Sequence, residues 1–297
     1  MSISKFRGII AYPITPFHPT DDGIDVKKLE LSIERLIADG VHAIAPLGST
    51  GESAYLSDEE WDQAAEASIV QVAKRVPTVV GISDLTTRNA VRRAKFAEKL
   101  GADAVMVLPI SYWKLTEQEI FEHYVKIGKS VSIPIMVYNN PATSGIDMSP
   151  QFIARLVREI DSVTMVKEST GDIQRMHKLY QLSDGGIPFY NGSNPLALEA
   201  FVAGAAGWCT AAPNLIANLT LQLYQAVIEG KLDRAREVFY QQLPILEFIL
   251  KGGLPTTIKA GLQLAGFDVG VPRAPLAALS GEGRNTLKRL LDQVSSS

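Results

Sequence analysis

Eight short runs rich in β-branched and aromatic residues recur between stretches of helical length, and this alternation limits the fold more than any other feature. The runs are "GIIAYP" (8–13), "HAIAPLG" (42–48), "PTVVGIS" (77–83), "DAVMVLP" (103–109), "IPIMVYNNP" (133–141), "SVTMVKE" (162–168), "IPFYNG" (187–192) and "AAGWCTA" (205–211). The segments between them carry helical spacing. Val26, Leu29, Ile33, Leu36 and Ile37 form one stripe, and Gly40 stands where a glycine ends a helix. The stretch "TTRNAVRRAKFAEKLGAD" closes on Gly101, and "SPQFIARLVREIDS" opens on Ser149-Pro150. Strands alternating with helices predict a parallel sheet with right-handed crossovers. Eight units in roughly 220 residues suit a (β/α)8 TIM barrel better than an open doubly wound sheet. An open sheet would want a phosphate loop after a strand, and neither G-x-G-x-x-G nor a Walker pattern occurs. Beyond about residue 213 the strand signal stops, and four helical stretches follow, the last running to residue 297. The expected α/β architecture is therefore a barrel over 1–213 with a C-terminal helical extension over 214–297 packed on it. No low-complexity linker or repeat separates the two parts.

Composition narrows the partners. The 297 residues are 46% hydrophobic and 21% charged with a net charge of −3, values of a globular protein with a large core and no basic footprint for nucleic acid. Cys209 is the one cysteine, which excludes an internal disulfide framework and fits a reducing compartment. The opening "MSISKFRGIIAYPITPF" has its apolar run broken by Pro13 and Pro16, too short for a leader core or a membrane span. A cytoplasmic protein with no membrane partner is expected.

In such a barrel, reactive groups project from the C-terminal ends of the strands. Lys167 stands at the end of the sixth run, on the face shared by Met165 and Val163 if alternation is unbroken. A desolvated amine favours its neutral form, a nucleophile toward carbonyls. "YNNP" (138–141), with Tyr138 at its head, ends the fifth run, and "GSTGES" (48–53) follows the second. Each has an ordinary account of its own. Lys167 could pair with Glu168, the hydroxyl loop could cap the next helix with Ser57 and Glu60 as a capping box, and Tyr138 could be a barrel aromatic. Three such groups at three strand ends favour a site.

The trio "GSTGES", "YNNPATSG" and "VKESTGD", in this order and spacing, resembles the dihydrodipicolinate synthase/N-acetylneuraminate lyase family, and the likeness runs along almost the whole chain. The resemblance implies a (β/α)8 barrel, a homotetramer, a Schiff-base lysine, and no metal or organic cofactor. By position, Lys167 would form the imine with a 2-oxo acid and Tyr138 would be the general acid/base. Ser49 and Thr50 would hold the substrate carboxylate, with Ser49 passing protons to the tyrosine. Gly48, Thr143, Gly192, Ser193 and Cys209 would line the substrate, and Tyr112 would reach the relay from a partner subunit, although its spacing is shifted by one residue.

The departures bear on substrate. The synthase branch places an arginine where this chain has Thr143, and threonine cannot replace a bidentate cation. The lyase branch places acidic residues where this chain has Ser193 and Asn194. The segment "ISDLTTRNA" lacks the acidic residue of the family's allosteric lysine site. The expected function is a lysine-imine lyase of aldolase, dehydratase or deaminase type acting on pyruvate, another small 2-oxo acid or a related cyclic imino acid. The alternatives are 4-hydroxy-tetrahydrodipicolinate synthase, 1-pyrroline-4-hydroxy-2-carboxylate deaminase and a non-catalytic metabolite-binding barrel. A sensor would have no need for lysine, tyrosine and hydroxyls together.

Overall fold

In the computed structural model, which describes residues 6–295, all eight runs are strands. They are β1 Gly8–Ala11, β2 Ala43–Ile44, β3 Val79–Gly81, β4 Ala104–Val107, β5 Ile135–Asn139, β6 Val163–Glu168, β7 Phe189–Asn191 and β8 Gly207–Thr210. The sheet order is β2-β1-β8-β7-β6-β5-β4-β3, and every pairing is parallel. The remaining seam closes through a parallel bridge between Ile44 and Thr78 and through Gly81 N–H donating to Pro46 O at 3.0 Å. Gly81 has no substitute there, because a Cβ would stand 2.1 Å from the Leu47 carbonyl oxygen. The result is a (β/α)8 barrel. Residues 1–5, part of the segment read for a leader, and the end of the last helical stretch, 296–297, lie outside the described residues.

The ring of helices follows the sequence signals. They are α1 Val26–Ala38, α2 Asp58–Val72, α3 Thr87–Leu100, α4 Glu117–Gly128, the single turn α5 Pro141–Ser144, α6 Pro150–Glu159, α7 Ile173–Leu182, α8 Ala197–Val202 and α9 Pro213–Ile228. Ser57 and Glu60 do form a capping box at α2, and Ser149 caps α6 ahead of Pro150. Gly40 and Gly101 follow α1 and α3 with φ of +93° and +94°, the left-handed geometry that ends a helix. Helix α9 packs on β1, α1 and α8 and so completes the ring. The expected division after residue 213 falls at its start. Three more helices follow, α10 Leu232–Gly252, α11 Leu254–Leu264 and α12 Gly281–Ser295; α10 and α11 pack on α9, α12 packs on those two, and we assign the extension to all three.

One local expectation is corrected. The register of β5 against β6 shifts between Ile135 and Met136, which pair with Val163 and Met165 and leave Thr164 unpaired and exposed. This bulge breaks the alternation below Met165. Met165 and Lys167 share a face, while Val163 falls out of their register.

Candidate active site

The strand ends that face the barrel mouth bring the central groups together. In register, Tyr138 lies beside Lys167 and Lys167 beside Tyr190, so the lysine has a tyrosine on each neighbouring strand. Lys167 is only 5% exposed. Its Nζ sits 3.8 Å from the ring centroid of Tyr138 and 4.1 Å from that of Tyr12, just beyond β1. Two aromatic faces therefore flank the amine nitrogen inside the barrel. Glu168 does not pair with it. That carboxylate is fully buried on the other face of β6, where it accepts from Arg175 Nε at 3.2 Å, from Asn139 Nδ2 at 3.2 Å and from the Thr170 N–H at 2.8 Å. The plain account of Lys167 as a salt-bridged lysine therefore fails on geometry.

The phenol beside the lysine is tuned. Burial is the largest single influence and pushes the Tyr138 hydroxyl up, but the Lys167 charge and hydrogen bonding from Asn140, Ser49 and Lys167 together exceed it, and the net shift is downward. Asn140 Nδ2 donates to the Tyr138 oxygen at 2.8 Å. Tyr12 moves the other way. Burial first, then Cys209 and Tyr138, push its hydroxyl well above the usual range, and it donates to Met106 Sδ at 3.1 Å. Cys209 is buried in β8, and burial pushes its thiol up against the opposing pull of Lys167 and Tyr12. A thiol so held is a packing group, not a competing nucleophile. Of three adjacent acids, only Tyr138 is made easier to ionise, which is the separation that an acid/base role requires.

The hydroxyl loop is shaped by its backbone. Leu47 and Glu52 adopt left-handed φ of +61° and +55°, and the turn closes with Gly51 N–H to Gly48 O at 3.1 Å and Glu52 N–H to Ser49 O at 3.2 Å. Gly48 packs against Tyr12, whose Cδ1 would be 2.7 Å from a Cβ. Ser49 lies close enough to Tyr138 to favour its ionised form, and Thr50 is buried. On the other side of the lysine, a Cβ on Gly192 would stand 1.7 Å from Ser169 Oγ and 2.9 Å from Lys167 Cε. Glycine is thus what lets this loop approach the reactive side chain. Ser193 is buried against Asn191, and Thr210 donates to Asn194 Oδ1 at 2.7 Å.

Lys167, Tyr138, Ser49, Gly48, Gly192 and Cys209 gather around one point, with Thr50 and Ser193 in the adjoining loops. Thr143 does not join them: it is exposed on α5. Tyr112 is 95% exposed and Trp113 78%, so within this chain Tyr112 is no part of the buried set. Three members escaped the sequence reading. Tyr12 follows directly on the first strand, a position like the one that singled out Tyr138. Asn140 lay unremarked inside "YNNP", and Ser169 follows Lys167 by two residues, with its Oγ buried and unpartnered. Among the described residues, no three His, Cys, Asp or Glu side chains are grouped as metal ligands would be.

The model of the dihydrodipicolinate synthetase family matches residues 5–294. The chain belongs to that family. Members of the dihydrodipicolinate synthetase family are class I aldolase-type lyases working through a lysine imine, and this chain is an enzyme of that type. The 4-hydroxy-tetrahydrodipicolinate synthase of Methanopyrus kandleri is 31% identical over 292 residues, covering 98% of this chain and 97% of its own. A crystal structure from Pseudomonas aeruginosa, described only as a candidate dihydrodipicolinate synthetase, superposes with a TM-score of 0.95 at 65% identity over 97% of this chain and 99% of that one. The chloride-inhibited dihydrodipicolinate synthase of Acinetobacter baumannii, solved with pyruvate, gives a TM-score of 0.92 at 29% identity over 97% and 99%.

Proposed function

We propose that Lys167 condenses with the C2 carbonyl of pyruvate or another small 2-oxo acid and that Tyr138 moves the protons. The observation that carries this reading is the amine 3.8 Å from the ring of a phenol that its own charge makes more acidic. The amine attacks C2, Tyr138 protonates the departing oxygen, and water leaves as the iminium forms. Loss of a proton or rupture of a bond at C3 puts the electron pair into an enamine. Ser49 and Thr50 supply donors for the carboxylate, and Ser169 Oγ, buried without a partner, stands ready for a substrate oxygen.

The substrate reading rests on the cations near the site. Thr143 offers no charge, Arg175 is held by Glu168 and Asp147 at 3.2 and 3.0 Å, and Lys259 is held by Glu52 at 2.6 Å. A second substrate carboxylate would find no unpaired partner among these three. We infer a substrate with one carboxylate, handled by aldolase, dehydratase or deaminase chemistry, 1-pyrroline-4-hydroxy-2-carboxylate deamination being one such reaction. The names of relatives near 30% identity favour 4-hydroxy-tetrahydrodipicolinate synthesis as the second reading. The exposed Tyr112 and Trp113 support a homotetramer in which the partner's copy of this face meets them. The lone cysteine suits the cytoplasm, and no described helix is long and apolar enough to cross a membrane.

Borohydride with a panel of 2-oxo acids tests the mechanism. Mass spectrometry is expected to find the reduced adduct on the Lys167 peptide. No adduct there with any member of the panel would end the Schiff-base reading.

A further inference from the structure

The hydroxyl loop after β2 is held from outside the barrel. Glu52 ends its turn with a fully buried side chain. One carboxylate oxygen pairs with Lys259 of α11 at 2.6 Å, and the other accepts the backbone N–H of Arg273 at 2.7 Å. Lys259 is 1% exposed, donates to Val271 O at 3.1 Å and lies 4.0 Å from the ring centroid of Phe17. The Arg273 guanidinium lies 4.2 Å from the same ring, bonds both oxygens of Glu60 at 2.7 Å and reaches Tyr55 O at 3.0 Å. Thr15 Oγ1 donates to Gly51 O at 2.6 Å, and Phe17 N–H to Val269 O at 3.3 Å. The extension, the segment after β1 and the loop after β2 are thus tied at one place.

A buried ion pair is a poor stabiliser, because desolvation offsets most of the attraction and apolar residues of similar size often do as well. Burial indeed pushes the Glu52 carboxyl up and the Lys259 ammonium down, each opposed by its partner. What the pair does give is a fixed position. Glu52 is left-handed, and two residues before it stands Thr50, preceded by Ser49.

We propose that Lys259 and Glu52 are positioning residues, through which helix α11 of the extension fixes the turn that presents Ser49 to Tyr138 and buries Thr50. Lys259 acts through the loop and touches no reacting atom. The inference rests on the proposed function only in giving Ser49 and Thr50 to the substrate carboxylate.

Variants of the full chain separate positioning from stability. In Lys259→Met, the pyruvate concentration that half-saturates borohydride trapping at Lys167 is expected to rise by roughly 10²-fold, the scale of an ångström-sized misplacement remote from the chemistry. Amides 47–52 should exchange with solvent faster, and Lys259→Arg should recover part of both losses. The double variant Lys259→Met/Glu52→Met removes both charges, so its melting temperature should return toward wild type while trapping stays weak. It also serves where the single variant fails to fold. Wild-type trapping by the double variant would overturn the inference. If the wild-type protein itself traps nothing, the proposed chemistry has failed, and amide exchange alone decides: unchanged exchange at 47–52 in the variants overturns the positioning role as well.

Discussion

A lysine, a tyrosine and an asparagine side chain make the site chemically asymmetric. Tyr138→Phe should leave the fold intact, because the ring still packs beside Lys167, yet lower turnover by roughly 10²-fold or more, the scale of a positioned acid/base. Unchanged turnover would make Tyr138 a packing residue. The pH profile offers a finer test. The lysine charge and the Asn140 hydrogen bond both favour the phenolate, so an alkaline limb of kcat/KM set by Tyr138 should lie below the ordinary tyrosine value of about 10. Asn140→Ala removes one donor to the phenolate, which raises the phenol's pKa and moves that limb to higher pH. Thr143 carries the specificity expectation. Condensation of pyruvate with aspartate semialdehyde should be poor in a coupled assay, the missing charge-assisted contact being worth about 1.5–3 kcal/mol, or roughly 10–150-fold. Thr143→Arg should recover part of it, and efficient synthase turnover by the unmodified chain would refute the substrate argument. At this scale the sequence was legible where a side chain stood at a strand end, as Lys167 and Tyr138 do. Tyr12 was as legible and went unread, and the unpartnered state of Ser169 is a property of packing that no spacing conveys.

Strands and helices were legible to within a few residues because each is short, amphipathic or fully apolar, and punctuated. Thr86, Thr116 and Ser149 cap α3, α4 and α6 as their residue types demand. The bulge at Thr164 was not legible. An unbroken β-branched run reads as regular alternation, and only pairing with β5 shows which residue is left over. The seam between β2 and β3 is the element most sensitive to a small change. Gly81→Ala places a methyl group against the Leu47 carbonyl, so the chain should lose about 1–3 kcal/mol of stability from overpacking. Leu47 begins the turn that carries Ser49, so trapping of 2-oxo acids should weaken too. Thermal melting and the trapping assay together check this, and a variant that matches wild type in both would show the seam to be compliant.

Across the whole molecule, the contacts between the extension and the barrel and the exposure of Tyr112 and Trp113 are what alternation could not foretell. The tie from Lys259 of α11 to Glu52 of the hydroxyl loop joins residues more than two hundred positions apart, a distance at which no periodicity speaks. Tyr112 and Trp113 lie bare on one chain, which suits burial against a second copy. Sedimentation at micromolar concentration should therefore show an oligomer that Trp113→Asp breaks into smaller species, and a wild-type monomer would remove the partner-subunit relay from consideration. The pairing of β1 with β8, Gly8 opposite Gly207, also sets a timetable. The strand that leaves the ribosome first binds one made about 200 residues later, so at 5–20 residues per second its edge stays bare for roughly 10–40 s. During that interval a nascent chain offers an apolar strand edge to whatever is near.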